Sequence, residues 1–191
     1  MNLPNKLTIL RICMIPVFVA VFFITAIPYN FLISGVIFML AAFTDFLDGH
    51  IARKYNLVTD LGKFLDPIAD KVLVATAYIV MLVPVGEHVA ILPWYCAIGV
   101  AIILARELIV SGFRMIAASK SVVLAAEKSG KIKTTFQDVS AVVLLFGASI
   151  MPEEYSIHNI IGLALFGVAI LLTIISGAEC LIKNRKVIAT K

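Results

Sequence analysis

The chain has 191 residues, of which 61% are hydrophobic and only 15% charged, with a mean hydropathy of +1.04. Soluble domains are roughly half apolar, so this much apolar surface cannot be covered by so few polar groups; a water-soluble enzyme, a disordered chain, a disulfide scaffold and a collagen are excluded. The formal charge of +4 comes without any groove-reading motif, so it points to orientation in a membrane and not to nucleic acid.

Apolar runs of roughly 17 to 25 residues cross a bilayer as helices, and six are present. The first, about residues 7 to 28, follows MNLPNKLTILR and ends in PYN without the small residues of a cleavage site, so it reads as an uncleaved span. The second, about 31 to 53, is joined by KYNLVTDL to the third, about 62 to 84. PVGEH leads to the fourth at about 91 to 118, the fifth covers about 134 to 151, and PEEYS precedes the sixth at about 157 to 182. None shows the two-residue alternation of a barrel strand. The expectation is one all-α integral membrane domain over residues 1–191 with six transmembrane helices.

In that layout Lys6, Arg53, Lys54, Lys63, Lys120, Lys128, Lys131, Lys133, Lys183, Arg185, Lys186 and Lys191 share one side, whereas the opposite loops carry Glu87, Glu153 and Glu154. The positive-inside bias then predicts that both termini are cytoplasmic. Cys13, Cys96 and Cys180 have no metal-ligand spacing and read as small apolar fillers.

The informative segments are TDFLDGHIAR, from Thr44 to Arg53, and GKFLDPIADK, from Gly62 to Lys71. At 100° per residue Asp45, Asp48, Gly49 and Ala52 form one helical stripe, and Gly62, Asp66 and Asp70, four residues apart, form another. Counting 1.5 Å per residue from the cytoplasmic edge puts Asp45 and Asp70 about 12 Å deep and Asp48 and Asp66 about 6 to 8 Å deep, so the carboxylates pair level by level. Pro67 suits a helix that starts near Lys63 to Asp66.

Ionised carboxylates at this depth need compensation. Arg53, Lys54, Lys63 and Lys71 are candidate ion-pair partners, but two divalent cations would balance four carboxylates. Hard oxygen donors select Mg²⁺, Mn²⁺ or Ca²⁺, and paired ions suit phosphoryl transfer. Gly49, Ala52 and Gly62 leave room beside the carboxylates for a nucleotide to approach the backbone.

These residues fill the pattern D-x2-D-G-x2-A-R-x8-G-x3-D-x3-D at Asp45, Asp48, Gly49, Ala52, Arg53, Gly62, Asp66 and Asp70, and the chain thereby resembles the CDP-alcohol phosphotransferase family. The N-x-P-N-x-L-T-x-x-R run from Asn2 to Arg11 and G-K-x-K-T-x-x-Q from Gly130 to Gln137 are similar to its bacterial members that use sn-glycerol 3-phosphate. The resemblance implies transfer from CDP-diacylglycerol to that acceptor, giving phosphatidylglycerol phosphate and CMP. It also implies a homodimer in the cell membrane, with the site facing the cytoplasm. By the same analogy Asp45, Asp48, Asp66 and Asp70 hold two Mg²⁺ or Mn²⁺ ions and Asp70 doubles as general base. Asp45, Gly49, Ala52, Arg53 and Gly62 then face the nucleotide, with Arg53 on its phosphate.

An acceptor phosphate needs cations, and Arg114, Lys131, Lys133 and Thr134 are the candidates. Depth favours Arg114, about 6 Å inside the edge, over Arg106 at about 18 Å. The pair Arg106 and Glu107, and Asp138, read equally well as structural polar groups within the membrane. Two alternatives stay open: another acceptor, such as inositol phosphate or serine, or a cation transporter built on the acidic cluster.

Overall fold

The computed structural model describes residues 2–55, 59–86, 90–119, 128–150 and 157–184. They form six helices, α1 (Leu3–Phe23), α2 (Asn30–Lys54), α3 (Asp60–Met81), α4 (Cys96–Ser119), α5 (Lys128–Ile150) and α6 (Ile157–Lys183), with no β-strand among the described residues. Four segments are long and apolar enough to cross a bilayer: Leu3–Phe23, Asn30–Gly49, Cys96–Ala117 and Asn159–Lys183. The chain is a multi-pass, all-α membrane protein. Helices α3 and α5 are of similar length, at 22 and 23 residues, but α3 carries Asp60, Lys63, Asp66, Asp70 and Lys71, and α5 carries Lys128, Lys131, Lys133 and Asp138.

Local chemistry sets the boundaries, and several differ from the apolar-run reading. Helix α1 starts at Leu3 rather than near residue 7, since Pro4 is tolerated in a first turn. It stops at Phe23, where the Asn30 side-chain amide donates to the Phe22 carbonyl at 2.7 Å and ties the end of α1 to the start of α2. Helix α3 begins at Asp60 because the Thr59 hydroxyl, at the N-cap, accepts the Gly62 N–H at 3.0 Å. Pro67 therefore lies inside α3 and not in its first turn, and withholds a backbone donor at the level of Asp66 and Asp70. Helix α5 begins at Lys128, so Lys131 and Lys133 are helical and not part of a loop before residue 134.

Helix α1 packs on α2 and α3, α5 lies between α2 and α6, α4 packs on α6, and α3 touches α2, α4 and α5. The shared core is aromatic and aliphatic, with Phe18, Phe22, Phe38, Tyr78, Met81 and Leu144 fully buried. Ring pairs such as Phe18 with Phe38 and Tyr78 with Phe166 fasten neighbouring helices at 6.1 and 5.0 Å between centroids. The outer surface is also apolar, with Ile98, Leu108, Leu171 and Ile182 exposed, as a lipid solvent requires. Cys96 and Cys180 are buried as small apolar fillers, while Cys13 is exposed on α1.

Buried hydroxyls find partners inside the bundle, since lipid offers none. Ser34 and Thr173 donate to carbonyls three and four residues back on their own helices. The Tyr78 hydroxyl lies 2.9 Å from the Gln137 carbonyl and 2.6 Å from the Ser140 hydroxyl, joining α3 to α5. Replacing Tyr78 with Phe is expected to lower stability by about 1 to 2 kcal/mol. Thermal unfolding in detergent checks this, and an unchanged midpoint would show that the bond adds nothing to α3–α5 cohesion.

Candidate active site

Helix α1 presents a polar stripe to the acidic segments: Asn5, Thr8 and Arg11, spaced by three and all buried. Arg11 is fully buried, and its guanidinium reaches one full turn of α2, with Nη2 at 2.6 Å from Asp48 Oδ2 and Nη1 at 2.8 Å from Asp45 Oδ1. The Asp48 contact is an aligned hydrogen bond, whereas the Asp45 contact is an ion pair without that alignment. Nε donates to the Ala41 carbonyl at 3.2 Å and the Thr44 hydroxyl at 3.3 Å, which fixes the plane of the fork. Thr8 donates to Asp66 Oδ1 at 2.5 Å, and the Thr59 hydroxyl donates to Asn5 Oδ1 at 2.8 Å. Each residue of the stripe thus holds a different part of the acidic segments.

The sequence points to Arg53, Lys54, Lys63 and Lys71 as counter-charges; in the structure Arg11 pairs with Asp45 and Asp48, and Lys71 lies in the field of Asp70. The side chains of Ala52, Arg53 and Lys63 lie outside the described residues, Lys54 sits 5.6 Å over the Tyr55 ring, and Lys71 hydrogen-bonds Ser111. Arg11 escaped notice because it is 34 residues before Asp45, and only its place in the N-x-P-N-x-L-T-x-x-R run singled it out. Asp48 interacts electrostatically with Asp45 and Asp66, and Asp70 with Asp45, so the four carboxylates lie within one another's field. Gly62 differs from expectation: a Cβ there would lie 3.0 Å from Asn5 Oδ1 and 3.2 Å from Thr59 Oγ1, so α1 and the N-cap already fill the space beside it.

In chemistry the donor set fits a hard divalent cation, since Asp45, Asp48, Asp66 and Asp70 offer only carboxylate oxygens. Arg11 and Thr8 engage one oxygen each of Asp45, Asp48 and Asp66, and every carboxylate has a second. Among the described residues no three His, Cys, Asp or Glu side chains converge as a ready-made chelate. Of the two carboxylates that Arg11 meets, Asp45 is the more accessible, with a side chain 44% exposed against 2% for Asp48.

Asp70 also lines a cavity of about 220 Å³ in which five cations outnumber the two carboxylates, Asp70 and Glu107. Lys71, Arg106, Arg114, Lys131 and Lys133 line it, with Ser111 and Thr134. All four residues expected to meet an acceptor phosphate are therefore together. Arg106 joins them despite its depth, because it shares a face of α4 with Val110 and Arg114 at four-residue spacing. It is held by Glu107 and by the Ser176 hydroxyl, both at 3.1 Å. Glu107 also pairs with the buried Lys133, an anchor that the sequence left undefined. Asp138 lies in the field of Asp70, Asp45 and Lys133, and its buried Oδ1 has no hydrogen-bond partner among the described residues. A second cavity of about 210 Å³ shares Asp70, Lys71, Glu107, Lys133 and Thr134 but is otherwise largely apolar, bounded by Val72, Val74, Ile103 and Leu108.

A family model for CDP-alcohol phosphatidyltransferases matches residues 1–175. Among curated proteins, the chain is similar to three named CDP-diacylglycerol–glycerol-3-phosphate 3-phosphatidyltransferase. That of Bacillus subtilis is 37% identical, covering 99% of this chain and 98% of the relative. That of Rickettsia bellii is 41% identical over 92% and 91%, and that of Salmonella paratyphi A is 41% identical over 91% and 89%.

Removing Glu107 would leave Lys133 buried without its counter-charge. Glu107→Ala is expected to destabilise the protein by about 3 to 5 kcal/mol, and Lys133→Met in the same chain to recover most of the loss. A double-mutant cycle of unfolding midpoints measures this, and additive losses would mean that the pair is not coupled.

Proposed function

The chain belongs to the CDP-alcohol phosphatidyltransferase family and is a phosphatidyltransferase; from that premise we propose that it moves the phosphatidyl group of CDP-diacylglycerol to sn-glycerol 3-phosphate, giving phosphatidylglycerol phosphate and CMP. The observation that carries the choice of acceptor is the shared wall: Asp70 borders both the acidic segments and the cavity lined by five cations. A neutral acceptor such as serine or inositol has no use for so many positive charges, whereas a phosphomonoester does. The names of the relatives select glycerol phosphate among phosphate-bearing acceptors.

In this reading Arg114, Lys131, Lys133 and Thr134 hold the acceptor phosphate, with Lys71 and Arg106 adding charge. The N–H groups at the start of α5, near Gly130 to Lys133, favour the same anion. Asp70 then takes the proton of the acceptor hydroxyl as its oxygen bonds to the lipid-bearing phosphorus, and the bond from that phosphorus to CMP breaks with the electron pair leaving on CMP. Asp45, Gly49, Ala52 and Arg53 face the nucleotide. Asp45, Asp48, Asp66 and Asp70 hold two Mg²⁺ or Mn²⁺ ions, which when bound polarise the phosphorus and neutralise the leaving phosphate. The acyl chains stay in the bilayer while the head group reaches polar residues a short way inside it.

We read α3 and α5 as two further spans, giving six in one membrane domain with both termini and the site on the cytoplasmic side of the cell membrane, in a homodimer. Their lengths support this: 22 and 23 residues at about 1.5 Å each match a hydrocarbon core of about 30 Å. The one-sided distribution of Lys and Arg supports the orientation.

CMP release by purified protein from CDP-diacylglycerol with Mg²⁺ or Mn²⁺ is expected with glycerol 3-phosphate and not with serine, inositol or inositol phosphate. Asp70→Asn should lower the rate by about 10² to 10⁴. Arg114→Ala should mainly raise KM for the acceptor. Turnover with inositol phosphate alone would keep the chemistry and overturn the acceptor. For orientation, single cysteines at positions 87 and 131, in a chain with Cys13, Cys96 and Cys180 replaced by Ala, should react differently with an impermeant maleimide in intact cells. Labelling at 87 only is expected, and labelling at 131 only would invert the topology.

A further inference from the structure

We propose that Arg11 is a built-in counter-ion of the carboxylate cluster, a positioning residue that shares Asp45 and Asp48 with the divalent cations. This rests on the metal reading above and asks how this chain prepares its carboxylates for such ions.

Three observations lead there. Arg11 is fully buried and directs its guanidinium at both carboxylates of one helical turn, while the Ala41 carbonyl and the Thr44 hydroxyl fix its plane. A planar fork can grip two carboxylates at once, which a lysine ammonium at the end of a flexible stem does poorly. The two grips are unequal. Asp48 is clamped at 2.6 Å by an aligned hydrogen bond and is 2% exposed, whereas Asp45 makes an unaligned ion pair and is 44% exposed. Asp48 is thus held in place, and Asp45 is free to turn one oxygen toward a cation without undoing the Asp48 bond.

Charge gives the arrangement its consequence. Four carboxylates and Arg11 sum to −3, so two divalent cations bring the centre to +1 rather than to zero. A centre with one net positive charge attracts a diphosphate more strongly than a neutral centre does. Arg11 also keeps the α1–α2 contact compensated before any cation arrives, since buried carboxylates without a partner are destabilising.

A residue that only glues α1 to α2 and one that shares its carboxylates with metal ions differ in a measurable way. Thermal unfolding of the purified full chain in detergent is followed with EDTA and with saturating Mn²⁺, for wild type, Arg11→Gln and Arg11→Lys. Losing the guanidinium should cost most in EDTA and least in Mn²⁺, because the ions then supply the missing charge. The Mn²⁺-induced rise in midpoint is therefore expected to exceed that of wild type by about 5 °C in Arg11→Gln. In Arg11→Lys, which keeps the charge, the rise should fall between the two, and this variant decides the matter if Arg11→Gln does not fold. Equal losses in EDTA and Mn²⁺, with wild type still responding to Mn²⁺, would overturn the role of Arg11 while leaving the metal reading intact. No Mn²⁺ response in wild type would overturn both.

Discussion

A charge inside a helical bundle surrounded by lipid has no water to fall back on, so every buried ion must meet an opposite charge or a hydrogen bond within the protein. That constraint organises this chain. Asp48 is buried because Arg11 is there to meet it, and Lys133 is buried because Glu107 is there. The helices that supply these four residues are α2 and α1, and α5 and α4, so each pair of charges also joins two segments distant in sequence. Polar pairs of this kind contribute modestly to net stability, but breaking one strands its partner, and this makes the arrangement specific.

The two charge systems differ in sign, and Asp70 is where they meet. On one side stand carboxylates restrained by α1; on the other stands a cavity whose cations outnumber its carboxylates. A reaction between two anionic substrates needs such an asymmetry. The diphosphate must be brought to carboxylates, which only an intervening positive charge allows, and the acceptor phosphate can be met directly by Lys and Arg. The proposed reaction uses Asp70 as its proton acceptor at this boundary between the two charge systems.

Much of the acidic half was legible in the sequence. Helical geometry alone put the four carboxylates on two stripes, and Asp45, Asp48, Asp66 and Asp70 do lie within one another's electrostatic field. What could not be read was the third wall. The contact of Arg11 with Asp48 spans 37 residues, and nothing in local periodicity says which face of α1 turns toward α2. A hydropathy count starts the fifth apolar run only at about residue 134, whereas α5 extends back to Lys128 and Lys133 is neutralised by Glu107 on a neighbouring helix. Gly62 shows the reverse error, since the space that a missing side chain opens was filled by Asn5 from another helix.

The same constraint explains why the two least apolar helices carry the site. Helices α3 and α5 could not each stand alone in lipid, because their Asp and Lys residues would have no partners. Packed against α1, α2, α4 and α6, they turn Asp66 toward Thr8, Lys71 toward Ser111 and Lys133 toward Glu107, and the apolar faces of the other helices meet the bilayer. An enzyme whose donor has a water-soluble head and a lipid tail needs both surfaces within a short distance. The second cavity has this character, since it begins at Asp70 and Lys133 and continues along Val72, Ile103 and Leu108, the last two residues lying at opposite extremes of burial, from 2% to 72% exposed. Polar chemistry and an apolar exit are adjacent here because one turn of helix, about 5.4 Å, separates charges that pair inward from side chains that face outward.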